Sequence, residues 1–244
     1  MDGPAKLGIN RATWDFGRNS FRRPPLNERG AFFLRDTGPV VPPGTYTVTV
    51  KYRDKEAKQT LQVAADPALG VTDADWQARE AAVVRAGELQ NAVADAVTRI
   101  NAAKDDVKVV LAKLDARKKE REKDNPGGTK DAADPDKPLA QAARDLQKKL
   151  AATERRFYVP PDTKGLVEDV TPWNKVQDVG RALDATWTRP SPTTMTDLEE
   201  AETAVKAALA DFNKLFAEDV AAFRQKVADA KIGLFGEGAA IEVK

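Results

Sequence analysis

The side chains that most enzymes rely on are missing from this chain. Its 244 residues contain no histidine and no cysteine. That excludes Ser-His-Asp and Cys-His nucleophiles, histidine proton transfer and the usual zinc sites. Carboxylates remain. Glu199, Glu200 and Glu202 have the composition of a glycosidase acid pair. They fall in the first turns of an amphipathic stretch, where the helix dipole favours acids, so a solvated face accounts for them. Asp105 and Asp106 read the same way. Asp15, after Trp14, is the best single acid, and an aspartate ending a strand and holding a turn explains it. The basic cluster Lys113–Lys123 is interrupted by Asp115, Glu120 and Glu122, which fits a helix end in water better than a phosphate-binding patch. Trp14, Phe21, Phe32 and Phe33 offer flat apolar faces for sugar rings, or plugs for a core. Arg18, Arg22, Arg23, Arg29 and Arg35 make the same loop basic, suited to an acidic partner surface. The candidate ligand or partner contacts are therefore Trp14, Asp15, Phe21, Arg22, Arg23, Phe32 and Phe33. No catalytic, metal or cofactor set emerges, and Gly233–Gly238 lacks the lysine of a phosphate loop.

Composition narrows the partners. Net charge is +1 although 32% of residues are charged, so no overall basic field points to nucleic acid. No apolar run approaches the ~20 residues that span a bilayer, and Met1–Thr13 lacks a signal-peptide core. The expectation is a soluble, untargeted chain whose sequence does not specify a compartment.

The elements that must carry these residues begin with Thr72–Asp124, roughly 50 residues without a proline. Thr72 to Asp75 suit a helix start, the lysines and arginines after 113 suit its end, and Asn125-Pro126-Gly127-Gly128 stops it. Val93, Val97, Ile100, Val107, Val110, Leu111 and Leu114 make one apolar stripe. Leu139, Ala143, Leu146, Leu150, Thr153 and Phe157 form a narrow seam on a second, antiparallel helix. Trp173, Val176, Gly180, Leu183 and Trp187 share a face of a third, with both tryptophans placed in the core. A capping box at Thr196–Glu199 opens a fourth helix, with Leu198, Val205, Leu209, Phe212, Phe216, Val220, Phe223 and Val227 inward and Gly233 at its end. The first two helices are expected to project beyond the others near residues 112–137.

Residues 1–66 read as β structure. Gly8–Asp15 alternates imperfectly as a strand, Ala31–Leu34 is a short one, and Pro42-Pro43-Gly44 turns into Thr45–Tyr52. Tyr46, Val48, Val50 and Tyr52 share a face, and Lys58–Val63 returns after a turn at Asp54-Lys55. Ala239–Val243 is a possible last strand in the tail. The pattern Gly8-Ile9-Asn10, Trp14-Asp15, a loop and Val41-Pro42-Pro43-Gly44-Thr45-Tyr46 resembles the Ig-like or fibronectin-like sandwich of flagellar hook-capping proteins. It resembles still more closely the module after the β-propeller in bacterial sortilin-like, BNR-repeat proteins labelled glycosyl hydrolases. There an Asp-Pro, here Asp66-Pro67, leads into a long helix, and Pro190-Ser191-Pro192-Thr193 matches the turn before the last helix. The resemblance implies a β-propeller domain or subunit as protein partner, carbohydrate as a possible ligand, and a periplasmic or secreted parent.

The expected fold is α+β, mainly α. A small, incomplete antiparallel β-sandwich (1–66) precedes an antiparallel four-helix bundle with a long helical hairpin (67–233) and a tail (234–244). Three or four strands stand where a sandwich needs about seven, so an open edge and a bare apolar face near Trp14, Tyr46 and Val48 are expected. The functional expectation is a non-catalytic accessory module of a larger propeller-containing protein, mediating packing or protein contacts. The alternative is the glycan-binding part of a BNR-repeat glycosyl hydrolase.

Overall fold

The computed structural model describes residues 3–25, 37–124, 134–160, 163 and 170–232. The chain is mainly helical, with two small antiparallel two-stranded ladders. Helix α1 (Asp73–Asp124) runs unbroken for 52 residues, about 78 Å at 1.5 Å per residue. Its start is closed reciprocally: the Thr72 hydroxyl accepts from the Asp75 N–H at 3.2 Å, and the Asp75 carboxylate accepts from the Thr72 N–H at 3.2 Å.

Helices α2 (Lys137–Arg155), α3 (Pro172–Asp184), α4 (Pro192–Leu215) and α5 (Ala221–Asp229) follow, with a π turn at Phe216–Val220 joining the last two. The sequence predicts four rods side by side; the contacts make three. Lys104 pairs with Glu154 and Arg121 with Asp136, so α2 runs antiparallel along the second half of α1. Arg79 donates to the Leu183 and Thr186 carbonyls, and Arg189 pairs with Asp75, so α3 runs antiparallel along the first half. Arg85 meets Glu202 and Arg117 donates to the Ala230 carbonyl, so α4 and α5 run parallel to α1. Helices α2 and α3 are thus one rod in series, broken because Pro160 cannot continue a helix and Thr171-Pro172 starts a new one. Phe157 and Tyr158 fill the joint. Phe157 is fully buried edge-on against Phe212 at 6.3 Å, and its carbonyl accepts from the Trp173 N–H at 3.0 Å.

The π turn has a sequence cause. Buried positions on α4 step by threes and fours from Leu198 to Leu215, so the next inward residue of a plain α-helix would be Asp219. The wider turn brings Val220 in and leaves Asp219 to pair with Lys149 on α2.

Several expectations need correcting. Helix α4 begins at Pro192 under a Ser191 cap, six residues before Leu198, because serine followed by proline at the first helical position is the stronger start. Thr196 lies inside it and donates to the Pro192 carbonyl. Trp187 is past the end of α3 and 40% exposed, so it is not core. The Gly8–Asp15 strand is absent: Asn10 closes a bend on Lys6, and Leu7 and Ile9 stand in solvent. Helix α5 ends level with Arg117, so only the last turns of α1 and the start of α2 extend further. The expectations for Asn125–Gly128, Ala31–Leu34, Gly233 and Ala239–Val243 lie outside the described residues.

The observed ladders are β1 (Gly17–Asn19) with β2 (Thr37–Val40), and β3 (Gly44–Tyr52) with β4 (Lys55–Val63). Residues 17–25 cross the boundary expected at 66. Phe21 packs on the helical core, Arg18 pairs with Glu80 at 2.6 Å, and Arg22 with Asp95 at 2.9 Å.

Phe157→Ala is expected to cost about 3–5 kcal/mol in urea unfolding, because it removes a fully buried ring from the packed joint and leaves a cavity against Phe212. The Thr72 hydroxyl, then Arg189, hold the Asp75 carboxyl below the usual carboxylate range. Its stabilisation is therefore present at neutral pH and lost as pH falls below about 3.9. Asp75→Asn should lower Tm at pH 7 and change it little at pH 2.

Candidate functional site

Two surfaces keep groups that the core does not use. The first is the β3–β4 hairpin. Its register sets Tyr46 opposite Leu61, Val48 opposite Gln59 and Val50 opposite Ala57, with Tyr52 beside the turn. Directly opposed residues share a face, so these make one apolar side, and the threonines with Lys51, Glu56 and Lys58 make the other. Among the described residues the apolar side is covered only at its base, where Trp14 meets Tyr46; beyond it Val50 is 62% and Tyr52 54% exposed. Among the described residues neither strand has a second neighbour, leaving both outer edges unpaired. Arg53, in the two-residue loop, adopts φ 55 to close it.

At the base of the hairpin an aromatic ledge fixes its direction. The Trp14 ring meets Tyr46 at 5.7 Å and Phe16 at 5.3 Å, and its indole N–H donates to the Gly17 carbonyl at 2.8 Å. The Tyr46 hydroxyl donates to the Pro42 carbonyl at 2.6 Å; burial, then the Glu80 charge, push its pKa up, with Arg18 opposing. Phe16 sits at φ 61, a conformation bulky residues avoid, and its carbonyl accepts from the Val41 N–H. Asp15 accepts from the Gly17 N–H at 3.1 Å, holding the turn.

The second surface is a cleft of about 290 Å³ between the 20–23 strap, β2, α1 and α3. Phe21, Val83 and Leu183 give it an apolar floor; Arg23 stands on the strap, and Asp184 and Trp187 on the opposite wall. Gly87 is required here, since a Cβ would lie 2.0 Å from the Phe21 ring. Arg79 is buried under the Trp187 ring, 5.3 Å from its centroid, where it holds the Leu183 carbonyl of α3 and the Thr186 carbonyl beyond it. The Asp184 carboxylate is largely exposed and lies 3.9 Å from the Arg79 guanidinium.

The candidate residues from the sequence are thus separated. Trp14 and Asp15 lie at the hairpin base, Phe21 and Arg23 at the cleft, Arg22 is engaged with Asp95, and Phe32 and Phe33 are outside the described residues. The acids of α4 do not converge: Glu200 pairs with Lys175, and Glu202 with Lys206 and Arg85. Among the described residues no three acidic side chains gather as a metal site, and no helix is long and apolar enough to cross a membrane. The basic run after Lys113 is used structurally, Arg117 on the end of α5 and Arg121 on Asp134 and Asp136. Asp184 and the places of Gly180 and Trp187 in the cleft escaped sequence reasoning because the residues they meet are distant in the chain, and Phe16 because no local pattern marks its φ of 61. No protein-family model, curated protein or solved structure matches the chain.

Gly87→Ala is expected to release the strap while the helix itself gains about 1 kcal/mol of propensity. Trypsin should then cut faster after Arg18 and Arg22, with little change in the Tm of the helical core.

Proposed function

We propose that this chain is a non-catalytic interaction module whose docking surface is the β3–β4 hairpin. The observation that carries the proposal is the pairing of an exposed apolar face with two open edges. A lone two-stranded hairpin is marginal in water, so a bare one is suited to completion by another sheet. The helical part acts as the brace. The likeness of the Trp14-Asp15 and Pro42–Val48 segments to sandwiches that follow β-propellers supports a propeller domain or subunit as partner. In this reading the four strands are part of a sandwich whose remaining strands the partner supplies, and the three helical rods are the accessory bundle of such a module.

A second reading, glycan binding, is favoured by one feature: Phe16 holds its ring outward beside Trp14 and is 46% exposed. Exposed aromatic rings suit sugar faces, although here the two planes are tilted 56° apart. Binding on a polysaccharide array that is lost with Phe16→Ala and kept with Val50→Lys would favour this reading over the first.

For the docking reading, hydrogen exchange on the isolated chain should show β3 and β4 amides close to unprotected while α1 amides around Ile100 exchange slowly. Complex formation with a sortilin-like bacterial β-propeller, followed by size exclusion, should protect the hairpin and disappear with Val48→Lys plus Val50→Lys. Hairpin amides as slow as the core in the free chain would show that it needs no partner and end the proposal.

A further inference from the structure

The cleft behind the strap carries an inference separate from the docking surface. Gly180 sits inside α3 and lines the cleft, yet a Cβ built there meets no heavy atom within 4 Å. Glycine in a helix interior is unfavourable relative to alanine, and nothing in the packing requires it at this position. Its counterpart across the cleft, Gly87, is required by Phe21. One glycine therefore serves packing and the other leaves space. The floor between them is aliphatic and aromatic, from Val83, Leu183 and Phe21.

The polar groups around that floor are few and unequal. Arg79 is committed to the Leu183 and Thr186 carbonyls. Asp184, on the opposite wall from the strap, is largely exposed and faces Arg79. Gln90 donates to the Phe21 carbonyl. Arg23 lines the cleft, is half-buried, and has no hydrogen-bond or ion-pair partner among the described residues, although its neighbour Arg22 and nearby Arg18 are both paired. An unpaired guanidinium over an apolar floor matches a ligand with an apolar body and one anionic head.

We propose that this cleft binds a small amphiphilic carboxylate, with its chain on the Val83–Leu183 floor beside Gly180 and its head on Arg23. The volume, about 290 Å³, falls just below the ~300–1,000 Å³ of ligand pockets, which limits the ligand to a short chain or a single ring.

Titration calorimetry of the full chain with octanoate, and with octanamide as its neutral counterpart, tests the assignment. Octanoate should bind once per chain and more tightly than octanamide. Gly180→Leu, whose side chain enters open space, should abolish binding while Tm stays level or rises. Arg23→Gln should weaken octanoate roughly tenfold and leave octanamide unchanged. Val48→Lys on the hairpin should change neither. Absence of one-site binding, equal affinity for the two probes, wild-type binding by Gly180→Leu, or loss of binding in Val48→Lys would each overturn the proposal. Retained cleft binding alongside a well-protected hairpin would reject the docking reading and leave this one standing.

Discussion

A single helix about 78 Å long cannot be covered by any one partner in this chain, and that constraint arranges everything else. Its burial pattern changes along its length. From Trp76 to Val97 it is packed on several sides by the strap, α3 and α4, and small residues such as Ala82, Ala86 and Gly87 let those neighbours approach. From Ile100 the fully buried residues recur every seventh position, at Val107 and Leu114, which is a narrow seam against α2 and the end of the α4–α5 rod. The change falls at the joint between α2 and α3, where Phe157 fills the gap and Arg99 lies over the rings of Phe212 and Phe216.

Electrostatics sets the register of the rods more than it holds them together. Exposed pairs such as Lys175–Glu200 are screened by water and contribute little to stability. They nevertheless mark one vertical alignment per pair of rods, and a shift by one turn would break them together. Two buried contacts matter more. Glu154 is almost fully enclosed with Lys104 at the end of α2, so removing either partner would strand a charge. Arg79 closes the end of α3 by donating to the Leu183 carbonyl in its last turn and to the Thr186 carbonyl just beyond it, a task often left to a glycine turn.

Stability is graded away from this core. The strap is held by the Phe21 ring, buried Pro24, the ion pairs of Arg18 and Arg22, the Arg22 N–H on Asn91 and the Gln90 amide on the Phe21 carbonyl, while the hairpin beyond it buries almost nothing. Segments that recognise partners or ligands are drawn from that low-stability end, because only there are backbone edges and apolar faces left unused. The well-packed rods hold both surfaces at one end of α1.

Local chemistry made much of the chain legible from its residues alone. The limits of α1, the Thr171 cap of α3 and the β3–β4 alternation depend on neighbours within a few positions, so spacing reveals them. The absence of histidine and cysteine restricted the chemistry with no need of coordinates. What only the tertiary structure decided is how the elements stack. Periodicity says that a face must be covered but not by what, so two helices in series looked the same as two side by side. Likewise Trp187 has helical spacing from Trp173, and only the end of α3 at Asp184 turns it outward. The cleft joins residues some 160 positions apart, Phe21 to Gly180, and their meeting depends on where the strap crosses α1 rather than on any local pattern.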